Sequence, residues 1–130
     1  MLIFVFIIAL IVIYFGRFSF ETYIPLQHKN DFYVWRSNIH GQGVFANKDI
    51  HKEKYLFDGI IIKKDNSKEI PFLASKVNHC EMANTYLKFN QIKNMYEFWS
   101  KDNIKINEEL KLNYQFTPSF IQKNKSFWKC

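Results

Sequence analysis

Three separated stretches hold the residues with chemistry to offer. In Ser37-Asn38-Ile39-His40-Gly41-Gln42-Gly43-Val44-Phe45-Ala46, two glycines stand one residue apart. Such a pair lets the backbone bend sharply and approach a ligand with no Cβ in the way, although a plain hairpin turn uses it equally well. In Val77-Asn78-His79-Cys80-Glu81-Met82-Ala83-Asn84, the Asn78 amide can both donate and accept a hydrogen bond. The same His and two Asn also suit the tying down of a loop. In Ile104-Lys105-Ile106-Asn107-Glu108-Glu109-Leu110-Lys111-Leu112-Asn113-Tyr114, the residue of interest is Tyr114, which taken alone is a core aromatic with a hydrogen-bonded tip. Cys80 and Cys130 lie far apart with neither CxxC nor Cys/His ligand spacing, so no metal site is expected. Free thiols in a reducing compartment are a simpler reading of them than a disulfide.

Taken together, in this order and spacing, the three stretches resemble the SET-domain protein lysine methyltransferases. The first is similar to the family's S-x-x-x-G-x-G-hydrophobic-F-A opening, with Asp49-Ile50 after it. The second is similar to hydrophobic-N-H-S-C-x-P-N, keeping Asn78, His79 and Asn84, with Cys80, Glu81 and Ala83 in place of Ser, Cys and Pro. The third is similar to I-x-x-G-E-E-L-T-x-D-Y. Glu109-Leu110 and Tyr114 match, Asn107 stands for Gly in a turn that tolerates a left-handed Asn, and Asn113 stands for Asp. Glu53 occupies the place of a frequent Gly, and Leu112 a place where many members carry Phe or Tyr. The resemblance spans most of residues 33–116 and is to compact members, of a size seen in viral examples, without the zinc-bound cysteine cluster that closes several of these enzymes.

The resemblance implies S-adenosyl-L-methionine as cofactor, held at Gly41, Gly43, Asn78, His79 and Trp128. It implies Tyr114 as the catalytic residue, with Tyr86 and Phe116 walling the substrate channel, and no metal. The aromatic tail (Phe116, Phe120, Phe127, Trp128) either packs over the site or completes the core. The implied substrate is a protein with a target lysine, histones being the family's frequent target. Such a reaction needs a neutral amine. With a lysine pKa near ~10.4, deprotonation at neutral pH costs about 4–5 kcal/mol, and an apolar channel beside a cation lowers that cost. The alternative is a catalytically silent SET-fold binding module at a membrane.

These residues need a scaffold, and 130 residues allow one domain. Leu2 to Phe15 carries no charge, and about 1.5 Å per helical residue makes it some two-thirds of a ~30 Å hydrocarbon core. Continued to Ile24, with Arg17 reaching the headgroups, it reads as a membrane anchor over residues 1–24, ahead of a SET-like domain at 25–130. No basic region precedes it and no small-x-small site follows, which disfavours a cleaved signal. Arg17, Lys29 and Arg36 after the run favour a single-pass protein with a cytoplasmic C-terminal domain. Beyond Pro25, short apolar runs alternate with turn residues. Phe32–Trp35, Gly43–Ala46, Tyr55–Phe57 and Ile60–Ile62 read as four strands, Lys63–Lys68 as a turn, and Leu87–Phe89, Tyr96–Trp99 and Leu110–Phe116 as further strand candidates. Helical periods are confined to Glu69–Val77 and Ser119–Trp128. The expected class is therefore mainly β: a SET-like fold of short strands with a pseudoknot-like C-terminal segment, preceded by one transmembrane helix. The net charge of +6 comes from scattered lysines interleaved with acids and from only two arginines, Arg17 and Arg36, so direct nucleic-acid binding is not expected.

Overall fold

The computed structural model describes residue 24, residues 28–121 and residue 130. The expected anchor over residues 1–24 and the site residue Trp128 lie outside the described residues, apart from residue 24. Among the described residues no helix is long and apolar enough to cross a membrane.

The domain is mainly β. A hairpin of β1 (Phe32–Arg36) and β2 (Gln42–Ala46) forms a two-stranded sheet. A six-stranded sheet contains β3 (Tyr55–Ile62), β4 (Lys68–Glu69), β5 (Asn78–His79), β6 (Thr85–Asn90), β7 (Met95–Ser100) and β8 (Lys111–Leu112). Its spatial order is β4-β3-β7-β6-β8-β5. The last strand, β8, thus lies between two earlier ones and runs parallel to both β5 and β6. That insertion draws the third motif stretch against the second. Single bridges, Phe45 to Glu109 and Ile50 to Ile104, draw it against the first.

Two expected strands, Tyr55–Phe57 and Ile60–Ile62, are one. Asp58-Gly59 has the composition of a turn but is absorbed into β3 as register shifts against β7, one between Tyr55 and Phe57 and one between Asp58 and Ile60. The turn at Lys63–Lys68 is present, closed by the Lys63 N–H donating to the Ser67 carbonyl at 2.8 Å. Of the Glu69–Val77 period only α1 (Phe72–Lys76) is helical. Pro71 stands just ahead of it, where a missing N–H costs nothing, and Val77 is already extended. Leu110–Phe116 is a strand only at β8 and then tightens into a 3-10 turn, Tyr114–Phe116. Asn113 starts that turn by accepting from the Gln115 N–H at 3.0 Å.

One apolar core joins the two sheets. Phe32 and Val34 of β1, Val44 of β2, Leu56 and Phe57 of β3, Leu73 of α1 and Phe98 of β7 are all buried, with Ile104, Leu110 and Leu112. Phe57 packs edge-on against Phe32 at 5.1 Å and tilted against Phe98 at 5.0 Å. Each such ring removes enough apolar surface to contribute about 2–3 kcal/mol. Tyr114 packs against the margin of this core. The two cysteines, expected as free thiols, are joined in a disulfide with Cα atoms 5.3 Å apart. A 50-residue separation conceals this proximity in the sequence.

Candidate active site

The β1–β2 turn is built for sharp reversal. Ser37 N–H donates to the Gly41 carbonyl at 2.8 Å, and the Ser37 hydroxyl accepts from the Ile39 N–H at 2.9 Å. Gly41 has φ +47°, in the left-handed region where a Cβ is strained, although nothing crowds the place a Cβ would take. At Gly43 the constraint is space. A Cβ there would overlap the Glu109 carboxylate and sit 2.8 Å from its Cδ. The close approach that the glycine pair permits is thus made, at Gly43, by a side chain of the same protein.

Glu109 is the hub. Its carboxylate accepts from the Ser37 hydroxyl at 2.8 and 3.0 Å and from Asn78 Nδ2 at 3.0 Å. The Asn78 amide also donates to the His40 and Gln42 carbonyls, both at 3.0 Å. One amide therefore fastens the glycine turn, β5 and the start of the β8 stretch together. Asn84 does the same one strand over. It donates to the Glu109 carbonyl at 2.8 Å and accepts from the Lys111 N–H at 2.8 Å. Sequence reasoning gave Glu109 only as a motif match. Its partners lie 72 and 31 residues away, and its place as the second acid of Glu108-Glu109 ahead of Leu110 was the one available signal.

His79 is buried, and its Nδ1 accepts the Tyr114 N–H at 3.1 Å. A ring that accepts at Nδ1 carries its hydrogen on Nε2, and this Nε2 is buried without a hydrogen-bond partner among the described residues. An orphaned buried donor costs about 1–3 kcal/mol, which a ligand acceptor would offset. The His79 and Tyr114 rings lie 5.2 Å apart. The Tyr114 hydroxyl donates to the Val77 carbonyl at 2.6 Å. Burial pushes this phenol above its usual value of 10, so the hydroxyl keeps its proton throughout the neutral range.

On the other side of Tyr114 opens an apolar cavity of about 480 Å³. Ile60, Val77, Leu87, Phe98 and Leu112 wall it, with Ile70, Ala74, Phe120 and Ile121 toward its rim. Its size is within the range of small-molecule and side-chain pockets. Val77, Leu112 and Tyr114 of the motif stretches all line this cavity, and the Tyr114 ring also meets His79.

Two residues expected to wall a substrate channel, Tyr86 and Phe116, do not line this cavity. Tyr86 is paired with Trp99 on β6, whereas its neighbour Leu87, paired with Phe98, faces the cavity. Alternation along a strand puts Tyr86 on the opposite face, and its hydroxyl donates to Glu53 at 2.8 Å. Phe116 is 86% exposed and does not line the cavity; Phe120 and Ile121 of the tail do. Gly41, Gly43, Asn78 and His79 are brought together, and Tyr114 joins them through His79.

Comparison with solved structures decides the fold. A Plasmodium falciparum protein assigned as a histone methyltransferase superposes with a TM-score of 0.57 at 18% identity, over 68% of this chain and 96% of the other. A humanized mutant of the Chaetomium thermophilum Polycomb Repressive Complex 2, bound to the inhibitor GSK126, gives 0.54 at 19% identity over 64% of this chain. The apo complex with mutations in Ezh2 gives 0.54 at 17% over 68%. The fold is SET-like. At these identities the likeness extends to the fold alone. The matched region is also a small part of the Polycomb chains, 14% and 15% of their lengths. No family model matches the sequence, and no curated protein matches it. Within the SET-like domain the three motif stretches occupy one locus, with Tyr114 between a polar cluster and an apolar cavity.

Proposed function

We propose that this SET-like domain transfers a methyl group from S-adenosyl-L-methionine to a protein lysine. The observation that carries the proposal is the position of Tyr114, whose backbone and ring meet His79 while its side chain lines the apolar cavity. The donor set fits the cofactor in kind. A buried His79 Nε2–H lacks an acceptor among the described residues, the exposed side of Gly41 is open, and the Asn78 amide lies between them in the chain fold. Gly41, His79 and the side-chain oxygen of Asn78, whose amide nitrogen is already engaged, would hold it. When bound, S-adenosylmethionine supplies an electrophilic methyl on a cationic sulfur, and the displacement is in line.

The chain's own contribution is desolvation and alignment. A lysine entering between Ile60, Leu87, Phe98 and Leu112 leaves water, which disfavours its ammonium form. Orienting amine and methyl contributes up to roughly 7–11 kcal/mol of the barrier. Tyr114 is held by His79 and Val77, so its hydroxyl stays fixed at the end of the cavity.

Tyr114→Phe removes that hydroxyl while leaving the ring. The expected result is a loss of about 100-fold or more in labelled-methyl transfer to a cell lysate, with the calorimetric S-adenosylmethionine affinity held within about threefold. The wild-type rate should rise with pH through the neutral range as the substrate amine deprotonates, because Tyr114 itself stays protonated there. Unchanged turnover in the variant would remove Tyr114 from the reaction.

A second reading, the silent SET-fold module, has one observation in its favour. The Asn78 amide nitrogen and the volume over Gly43 are both committed to Glu109 within the chain. Absence of calorimetric binding by correctly folded protein would select it.

A further inference from the structure

We infer that the cavity at Tyr114 takes its lysine from an acidic segment of the substrate protein, rather than from a basic tail; the inference rests on the methyl-transfer reading. Lys68 is the one charged residue among the described residues that line the cavity. Its ammonium lies 4.7 Å from the centroid of the Phe120 ring and 3.4 Å from the Asn66 carbonyl, with no carboxylate partner among the described residues. Lys76, at the end of α1, sits over the Phe72 ring at 5.6 Å, and neither residue lines the cavity. The acids of the flanking β3–β4 hairpin do not line the cavity. Glu69 pairs with Lys63 at 3.1 Å, and Asp65, which keeps its charge, is turned to the Ser67 N–H at 2.9 Å and its hydroxyl at 2.6 Å. The opposite wall contributes no compensating acid. Glu97 faces away from Leu87 and Phe98 along the strand alternation and is held by Asn90 and Lys93. The tail residues lining the cavity, Phe120 and Ile121, are uncharged.

The rim therefore presents positive charge to any approaching chain. Residues flanking the target lysine are solvated and pass close to Lys68, where unit charges at high dielectric interact by about one RT each. Acidic flanks are attracted and basic flanks repelled. The same positive rim disfavours the ammonium of the entering lysine, so it assists the deprotonation that transfer requires. A histone-like tail, rich in Lys and Arg, meets the wrong sign.

The test uses three fluorescent peptides with one central lysine flanked by Glu/Asp, by Ser/Gly or by Lys/Arg. Binding is read by anisotropy and transfer by labelled methyl. At roughly 50 mM salt the acidic peptide should bind about tenfold more tightly than the basic one, the gap narrowing at roughly 500 mM as screening shortens. Lys68→Glu should reverse the order. The milder Lys68→Met should abolish it, and keeps the test valid if charge reversal prevents folding. Equal or tighter binding of the basic peptide, or a preference untouched by these substitutions, overturns the inference. Transfer to the basic peptide in preference to the acidic one would sink it while leaving methyl transfer standing. Selective binding of the acidic peptide without transfer to any peptide would instead remove the methyl-transfer reading.

Discussion

Glu109 is an acid whose importance comes from what it touches. Its carboxylate fills the space that the missing Cβ of Gly43 leaves, and it accepts from Ser37 and Asn78. A carboxylate is a flexible group, but this one is held by those donors and cannot swing aside without releasing them. Gly43→Ala should therefore destabilise the domain by about 1–3 kcal/mol through crowding. Glu109→Ala, which strands the Ser37 hydroxyl and takes one of three acceptors from Asn78, should cost a similar ~1–3 kcal/mol. In the double variant the added methyl meets an emptied site, so its cost should fall short of the sum by about 1 kcal/mol or more. Urea denaturation of the four proteins measures this. Additive costs would show that residues 43 and 109 do not meet.

Turns and strand faces are where the elements of this domain depart from simple sequence patterns. Glu53, just ahead of β3, has φ +60°, and Asn107, ahead of β8, has φ +69°. The left-handed region costs an ordinary residue roughly 1–2 kcal/mol and an asparagine less. Glu53→Gly should raise the melting temperature by a few degrees, about 1 kcal/mol, less what the exposed Tyr86 hydrogen bond contributes. Asn107→Gly should be near neutral, because it also loses the bond from the Tyr33 hydroxyl at 3.0 Å. Thermal melts that order the two variants the other way would contradict this. Both positions were legible in the sequence as places where a glycine is usual. The β1–β2 hairpin and the cluster of Gly41, Asn78, His79 and Tyr114 were legible too, because local turn chemistry and a three-part motif carry them. The faces of β6 were not. Whether Tyr86 or Leu87 meets the cavity depends on register against β7, and β3 beside it shifts register twice. A long-range pairing of that kind leaves no mark in a local pattern, and the same holds for Phe116 beyond the 3-10 turn.

Across the whole molecule, the chain end is fastened to the candidate site by Cys80–Cys130. Cys80 follows His79 directly, is 2% exposed, and its N–H donates to the Leu112 carbonyl at 3.1 Å. The bond therefore braces the insertion of β8 beside β5. Closing a loop of this length removes unfolded-state entropy worth roughly 4 kcal/mol in the chain-entropy model, of which real proteins commonly retain about 2–4. Reduction, or Cys130→Ser, should lower unfolding stability by that amount and weaken whatever His79 and Tyr114 hold in place. Melting curves with and without a dithiol measure it, and coincident curves would remove the brace. The redox state bears also on location. Disulfides persist in oxidising compartments, whereas Arg17, Lys29 and Arg36 behind the apolar run favour a cytoplasmic domain. Cells lysed with thiols blocked separate these two demands. A domain on the oxidising side of a membrane yields chains with no modifiable thiol and the melting temperature of the bonded form. A cytoplasmic domain yields two blocked thiols and the lower melting temperature, so that the charge flanking the Leu2–Phe15 apolar run would outweigh the bond in setting where the protein works.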